Sequence, residues 1–264
     1  MMGLTFDLIS DLHVDSWPEE FDWTGRATSP HALVLGDIAQ DRDLLVHALT
    51  NLAQCYQAVF DVDGNTEHKN FMDDLGASYV DLTERLNSIK NLVYLQDNVV
   101  VIDGVAILGT NGWWGYDFDQ SISPEQSALW HKEFENYNIE TIQNIKRMST
   151  ADANYMISGV KRLQTHLDVK KIVMATHTVP NPALIAHDIE LDGSLKFNTL
   201  GNRYMQHALA PDLENKIHTW CFGHYHRPVD QTMGGINYLC NPRGRGNTPW
   251  SQTPYYPRRI EISF

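Results

Sequence analysis

The chain has 264 residues, 42% of them apolar and 20% charged, the balance of a soluble globular protein large enough to bury a substantial core. Its 33 acidic residues against 20 basic ones leave a net charge of −13, a surface that repels polyanions, so nucleic acid is not an expected partner. No run approaches the ~18 apolar residues of a membrane span, which excludes a membrane-spanning reading.

The N-terminal MMGLTFDLIS lacks the basic flank and long apolar stretch of a signal peptide. Cys55, Cys221 and Cys240 are few and widely spaced, which argues against a disulfide scaffold and for a cytoplasmic setting.

LTFDLIS (4–10), HALVLGD (31–37) and AVFDVDGN (58–65) cluster apolar residues and end in turn-formers, as short buried strands do. Between the second and third, DRDLLVHALTNLAQ (41–54) carries apolar residues at helical spacing, with Asp41 as N-cap. Strand, helix, strand predicts a right-handed crossover and parallel pairing. ASYVDLTERLNSIK (77–90) predicts another helix. NLVYLQ, NVVVIDG and VAILGTNG, spread over 91–112, read as a meander of three strands. The pattern from Ser123 to Leu167 is helical, and KIVMATH (171–177) returns to strand.

Residues 180–216 are less regular and predict a long loop with helical turns. IHTWCFGH, HRPVDQTMGG, INYLCNPRG and RRIEISF then form a second set of strands. The two strand-rich halves predict an α/β fold of two β-sheets packed face to face and flanked by helices. No internal repeat or linker interrupts the chain, so residues 1–264 are expected to form a single domain with a helical insertion around 123–167.

Five strand-like runs end in side chains that bind metals: Asp11 and His13, Asp37, Asn65, His177, and His224 with His226. Asp11 and His13 lie two apart, so on an extended strand end both project to one side, and His224 and His226 repeat that spacing. Gly36 permits a tight turn before Asp37, whose carboxylate has two oxygens and can bridge two cations. Each motif alone is also a common turn. Together, oxygen donors mixed with imidazole predict a catalytic metal pair rather than a closed structural zinc site. His31, His47, His131, His166, His187, His207 and His218 lack such a context and are read as surface or core residues.

The order of these motifs resembles the calcineurin-like metallophosphoesterases of bacterial cytosolic type, whose pattern is D-x-H, G-D, G-N-H-E or G-N-H-D, a lone His, and G-H-x-H. Here DLH stands at 11–13, GD at 36–37, GNTE at 64–67, TH at 176–177, GHYH at 223–226 and NPRG at 241–244. The resemblance implies a four-layer αββα sandwich of mixed sheets and a phosphoric ester hydrolase acting on a small phosphomonoester or phosphodiester. It also implies two divalent or trivalent metal ions, drawn from Mn, Fe, Zn or Co. One would be held by Asp11, His13, His226 and Asp37, the other by the shared Asp37, Asn65, His177 and His224. Two such cations ~3.5–4 Å apart stabilise phosphoryl charge and generate a metal-bound hydroxide for in-line attack.

Thr66 occupies the position where the family carries a histidine that assists the leaving group. A threonine hydroxyl does not titrate near neutrality. His68, three residues beyond Asn65, either replaces that imidazole or simply packs or faces solvent. Arg243 is either a phosphate clamp or the partner of a carboxylate. Trp113 and Trp114 either stack on a substrate ring or fill the gap beneath the helical insertion. Thr178 follows His177 where relatives can carry a second, substrate-contacting histidine. The alternative to an enzyme is a non-catalytic interaction module that keeps the fold, with Thr66 marking lost activity.

Overall fold

The computed structural model describes residues 3–119, 122–134, 137–186, 195–246, 248–249 and 251–264. The first sheet contains β1 (Gly3–Ile9), β2 (His31–Leu35), β3 (Ala58–Val62) and β4 (Leu92–Tyr94). The second is built from β5 (Asn98–Ile102), β6 (Val105–Thr110), β7 (Lys171–Thr176), β8 (Ile217–Phe222), β9 (Val229–Met233) and β10 (Ile236–Cys240). The final strand, β11 (Arg258–Ser263), returns to the first sheet.

The strand orders are β11-β1-β2-β3-β4 and β5-β6-β7-β8-β10-β9. Parallel strands fill the centre of each, with an antiparallel strand at one edge of the first sheet (β11) and at both edges of the second (β5 and β9), so both sheets are mixed. The central strands are mostly apolar because both faces are covered, with Asp7 of β1 and Asp61 of β3 as buried acidic exceptions. Between the sheets, Leu4, Phe6, Leu8, Leu33, Leu35 and Phe60 meet Val105, Ile107, Val173, Ala175 and Leu239.

Helix α1 (Arg42–Cys55) opens on Asp41, whose side chain accepts from the amides of Asp43 and Leu44. Its apolar face (Leu45, Ala48, Leu49 and Leu52) covers the outer side of the first sheet. A single turn, α2 (Asn65–His68), follows β3, and α3 (Leu75–Leu86) packs beside α1. Two further helices, α4 (Pro124–Phe134) and α5 (Ile139–Gln164), occupy the insertion. Met156, Val160 and Leu163 of α5 pack on the outer face of the second sheet, completing four layers.

Three expectations change. The meander does not form, because β4 pairs parallel with β3 in the first sheet while β5 and β6 make a hairpin in the second. The chain crosses between sheets at 95–97, where Asp97 is left-handed (φ 48°). The last strand belongs to the first sheet: its alternation buries Ile260 and Ile262, as suits an edge strand with one covered face. The helical stretch is broken before Ile139, where the side chain of Asn138 caps α5 by accepting from Thr141 N.

β1, β2 and β3 of one sheet and β7 and β8 of the other end at one common edge, where their following loops meet. Phe6 is fully buried between the sheets. Phe6→Ala is expected to destabilise the fold by about 3–5 kcal/mol in urea unfolding, through lost burial and the cavity left behind.

Candidate metal centre

The loops after the strands carry an unusual amount of left-handed backbone. Asp11 (φ 52°), His13 (42°), Asp37 (53°), His224 (63°) and His226 (59°) all lie there, although none is glycine. Such residues cost about 1–3 kcal/mol each and persist only where surroundings over-determine them. Here the loops hold one another: Asp11 N donates to Gly36 O (3.0 Å), His13 N to Asp37 O (2.9 Å), and Gly223 N to His177 O (2.8 Å). His224 N donates to both carboxylate oxygens of Asp11 (2.9 and 3.1 Å).

These turns aim seven side chains at one place. Asp11, His13, Asp37 and His226 each present a donor atom within 4.8 Å of the others, and so do Asp37, His177 and His224. In the first set His13 Nε2 lies 2.9 Å from His226 Nε2, and His226 Nε2 lies 3.3 Å from Asp11 Oδ1. In the second, His177 Nε2 lies 3.1 Å from His224 Nδ1 and 3.2 Å from Asn65 Oδ1. Asp37 belongs to both, with Oδ2 at 3.5 Å from His13 Nε2 and Oδ1 at 3.3 Å from His177 Nε2. Converging nitrogen and oxygen lone pairs repel unless a cation or proton lies among them, and this donor chemistry fits two small transition-metal ions.

The second set is oriented from behind. His177 Nδ1 donates to Leu35 O (2.8 Å), which leaves the Nε2 lone pair facing inward. His224 Nε2 donates to Thr199 O (3.1 Å), so its inward donor is Nδ1. Such backing bonds fix tautomer and ring direction. Burial pushes His13 down to about 4 and, aided by neighbouring His177, His224 down to about 3. Burial opposes ionisation of Asp37, but His177, His13 and His224 outweigh it and hold its carboxyl far below the ordinary range. Burial also opposes ionisation of Asp11, and its hydrogen bond and charge interaction with His226 again bring it lower. Near neutrality both carboxylates are therefore charged and both of these imidazoles neutral, the states in which each binds a metal.

Glu67 was not singled out from the sequence. One of its oxygens accepts from Ile38 N (2.6 Å), the other from Gly64 N (2.9 Å) and Asp37 N (3.1 Å), pinning the Asp37 turn to the Asn65 turn. Burial pushes its carboxyl up to about 7. The readable signal was its place three residues after Gly64, the spacing of a capping box. Thr66 N adds a bond to Asp37 Oδ1 (2.8 Å).

The structure gives His68 and Arg243, the two expected catalytic side chains, partners other than the seven donors. His68 is fully buried with both nitrogens engaged, Nε2 to Asp63 Oδ2 and Nδ1 to Ser78 Oγ, each at 2.8 Å. No ring nitrogen is left for a leaving group. Arg243 pairs with Glu19 (2.9 Å) and lies over the Trp17 ring, 3.9 Å from its centroid. Trp113 and Trp114 are buried against Ile142 and Ile145 of α5, so they fill the gap beneath the insertion. Thr178 is buried and hydrogen-bonds Gly112 O. Of the histidines set aside, His187 lies outside the described residues.

The helix-flanked pair of mixed sheets, with donor loops at one edge, is the fold of the calcineurin-like metallophosphoesterases. A phosphopantetheinyl hydrolase from Mycobacterium tuberculosis is similar with a TM-score of 0.69 and 18% identity, over 97% of this chain and 95% of that one. A dimetal phosphatase from Danio rerio is similar with a TM-score of 0.55 and 14% identity, over 93% of this chain and 89% of that one. Among curated sequences, an uncharacterized protein of Acanthamoeba polyphaga mimivirus is 21% identical over 243 residues, spanning 84% of this chain and 81% of that protein. No family model matches the chain.

Gly64 shows how little room the cluster leaves. A Cβ there would stand 2.3 Å from Asp37 Oδ1 and 2.8 Å from His177 Cε1, although the backbone itself (φ −107°) suits any residue. The same Cβ would lie 2.5 Å from Asp37 N, so the Asp37 turn itself must shift. Gly64→Ala is expected to weaken Mn²⁺ binding at least about tenfold, ~1.4 kcal/mol, in a calorimetric titration, with urea unfolding reading any loss of stability separately.

Proposed function

We propose that the protein is a dinuclear metal-dependent phosphoesterase that hydrolyses a small phosphomonoester or phosphodiester. The observation that carries this reading is Asp37, one carboxylate with an oxygen directed at each donor set. In this reading Asp11, His13, Asp37 and His226 hold one ion, and Asp37, Asn65, His177 and His224 hold the other. The bound pair supplies Lewis-acid stabilisation of the phosphoryl oxygens and a hydroxide nucleophile near neutral pH. The chain's part is geometric: Asp37 sets the separation, Leu35 O and Thr199 O aim the imidazoles, and Glu67 keeps two loops in register. The metals are drawn from Mn, Fe, Zn or Co, since this ligand set accepts all four.

Residues 1–264 act as one catalytic domain with α4 and α5 as its insertion, and the acidic surface disfavours nucleic acid as substrate. No helix among the described residues is long and apolar enough to cross a membrane. A reducing cytoplasm suits the free thiols Cys55, Cys221 and Cys240.

Turnover of bis-p-nitrophenyl phosphate and p-nitrophenyl phosphate by the Mn²⁺-loaded protein is the direct test. Chelation is expected to abolish it, and Asp37→Asn to lower kcat by about 10²–10³-fold, the scale for losing one electrostatic stabiliser. Tight metal binding without hydrolysis under Mn²⁺, Fe²⁺, Zn²⁺ or Co²⁺ would favour a non-catalytic interaction module, the reading that Thr66 invites.

Thr66 also sets an expectation about substrates. With no imidazole there and His68 locked away, the site handles good leaving groups best. Thr66→His is expected to raise kcat on an alkyl phosphate at least about tenfold while changing the aryl ester less than about threefold, because only the poor leaving group needs a proton. Equal effects on both esters would contradict this.

A further inference from the structure

His224 differs from the other donors in what lies against its ring. Trp114, in the loop after β6, stacks on it nearly parallel, with centroids 5.6 Å apart and an interplanar angle of 17°. The hydrogen bond from Nε2 to Thr199 O fixes the tautomer but leaves the ring free to swing about that bond. A flat indole on one face removes the swing. Trp114 is itself almost wholly buried and cannot serve a substrate.

The indole is held in turn by the insertion. It meets the ring of His131 of α4 nearly at right angles (5.6 Å, 86°), and Nδ1 of that histidine lies 3.1 Å from Tyr116 Oη. The backbone leading to it is pinned by α5: Asp152 Oδ2 accepts from Gly112 N (2.8 Å) and Trp113 N (3.0 Å). Asn202 Nδ2 donates to both Trp113 O (2.9 Å) and Ser149 O (2.8 Å), joining this loop to α5 and to the segment bearing Thr199. His13 and His226, in the other donor set, meet edge to face at 4.8 Å and need no such support.

We propose that Trp114 is a positioning residue for the second donor set alone, fixing the plane of His224 so that its Nδ1 lone pair points at the ion. The helical insertion thereby acts as part of the metal centre, and anything that shifts α4 or α5 changes occupancy of one of the two sites. The proposal rests on the metal-pair reading of the cluster.

The test is site-resolved metal binding, by calorimetric titration with Mn²⁺ and by the ligand-field absorption of the Co²⁺ form, on wild type, Trp114→Phe and Trp114→Leu. Wild type and Trp114→Phe, which keeps a flat ring, are expected to bind two ions. Trp114→Leu, of similar apolar character but without a face, is expected to bind one ion as wild type does and the second at least tenfold more weakly. The Co²⁺ spectrum should lose the contribution of that second site. His131→Leu, which removes the buttress behind the indole, is expected to weaken the same site to a smaller degree and keeps the test decisive if Trp114→Leu does not fold. Two ions bound with wild-type affinity by Trp114→Leu, or by His131→Leu where it stands in, overturn the role of Trp114, as does equal weakening of both sites. Fewer than two ions on wild type overturns the metal-pair reading itself, a distinct result.

Discussion

The arrangement depends on keeping one buried carboxylate charged and shared. Asp37 is removed from water, and an isolated carboxylate in that position would take up a proton. It stays ionised chiefly through His177, whose imidazole the same pairing pushes toward its charged form, and because Thr66 N donates to Oδ1. Its own amide is held by Glu67 and its carbonyl by His13 N. These partners and His224 come from four other segments, the turns after β1, β3, β7 and β8. The loops are brought together only because β1, β2 and β3 of one sheet and β7 and β8 of the other finish at the same edge. The sandwich is thus the means by which a charge too costly to bury alone is surrounded on all sides.

The same requirement accounts for the strained backbone. Residues two apart on an extended strand share a face but stand about 7 Å apart, so a strand end alone points Asp11 and His13, or His224 and His226, the same way without converging them on a common point. Turning each of these residues into the left-handed region does so, at an energetic cost that the loop-to-loop hydrogen bonds offset. Glycines stand where the loops touch. A Cβ on Gly223 would lie 2.8 Å from both Asp11 Oδ2 and Leu35 O, and one on Gly64 would intrude on Asp37. Close approach of backbone to ligand, rather than chain flexibility, explains both residues.

Much of this was legible in the sequence, and the reason is local. Each donor follows a short apolar strand and its turn, so the motifs that carry chemistry also carry the punctuation that reveals them. What failed was long-range. Nothing within NLVYLQ says that it pairs with β3 rather than with the strand that follows, because the choice depends on where α3 delivers the chain. RRIEISF likewise reads as a strand but not as the partner of β1, some 250 residues earlier. Spacing leaves both readings of His68 open, since it reports only a face of a helix. Whether Asp63 and Ser78 claim both its nitrogens is a tertiary fact. Trp114 was legible as a core residue, yet its stacking on a donor histidine depends on the return of β8, over a hundred residues later.

Asp63 explains why His68 does not turn toward the donor cluster. Its carboxylate accepts from His68 Nε2 (2.8 Å), Asn111 Nδ2 (2.8 Å), Tyr79 Oη (3.2 Å) and Tyr94 Oη (2.7 Å). Burial pushes that carboxyl towards protonation, and these donors together reverse it. The hub ties β3, α3, the end of β4 and the end of β6 together, directly behind Asn65 and at the place where the chain crosses from one sheet to the other. Releasing His68 toward the cleft would strip a donor from a buried charge and leave Ser78 Oγ with Arg42 Nη2 (2.7 Å) alone, a loss of the kind that costs several kcal/mol in an interior. His68 is therefore committed to holding the seam beside the Asn65 turn, and the neighbouring Thr66 hydroxyl is buried without a hydrogen-bond partner among the described residues.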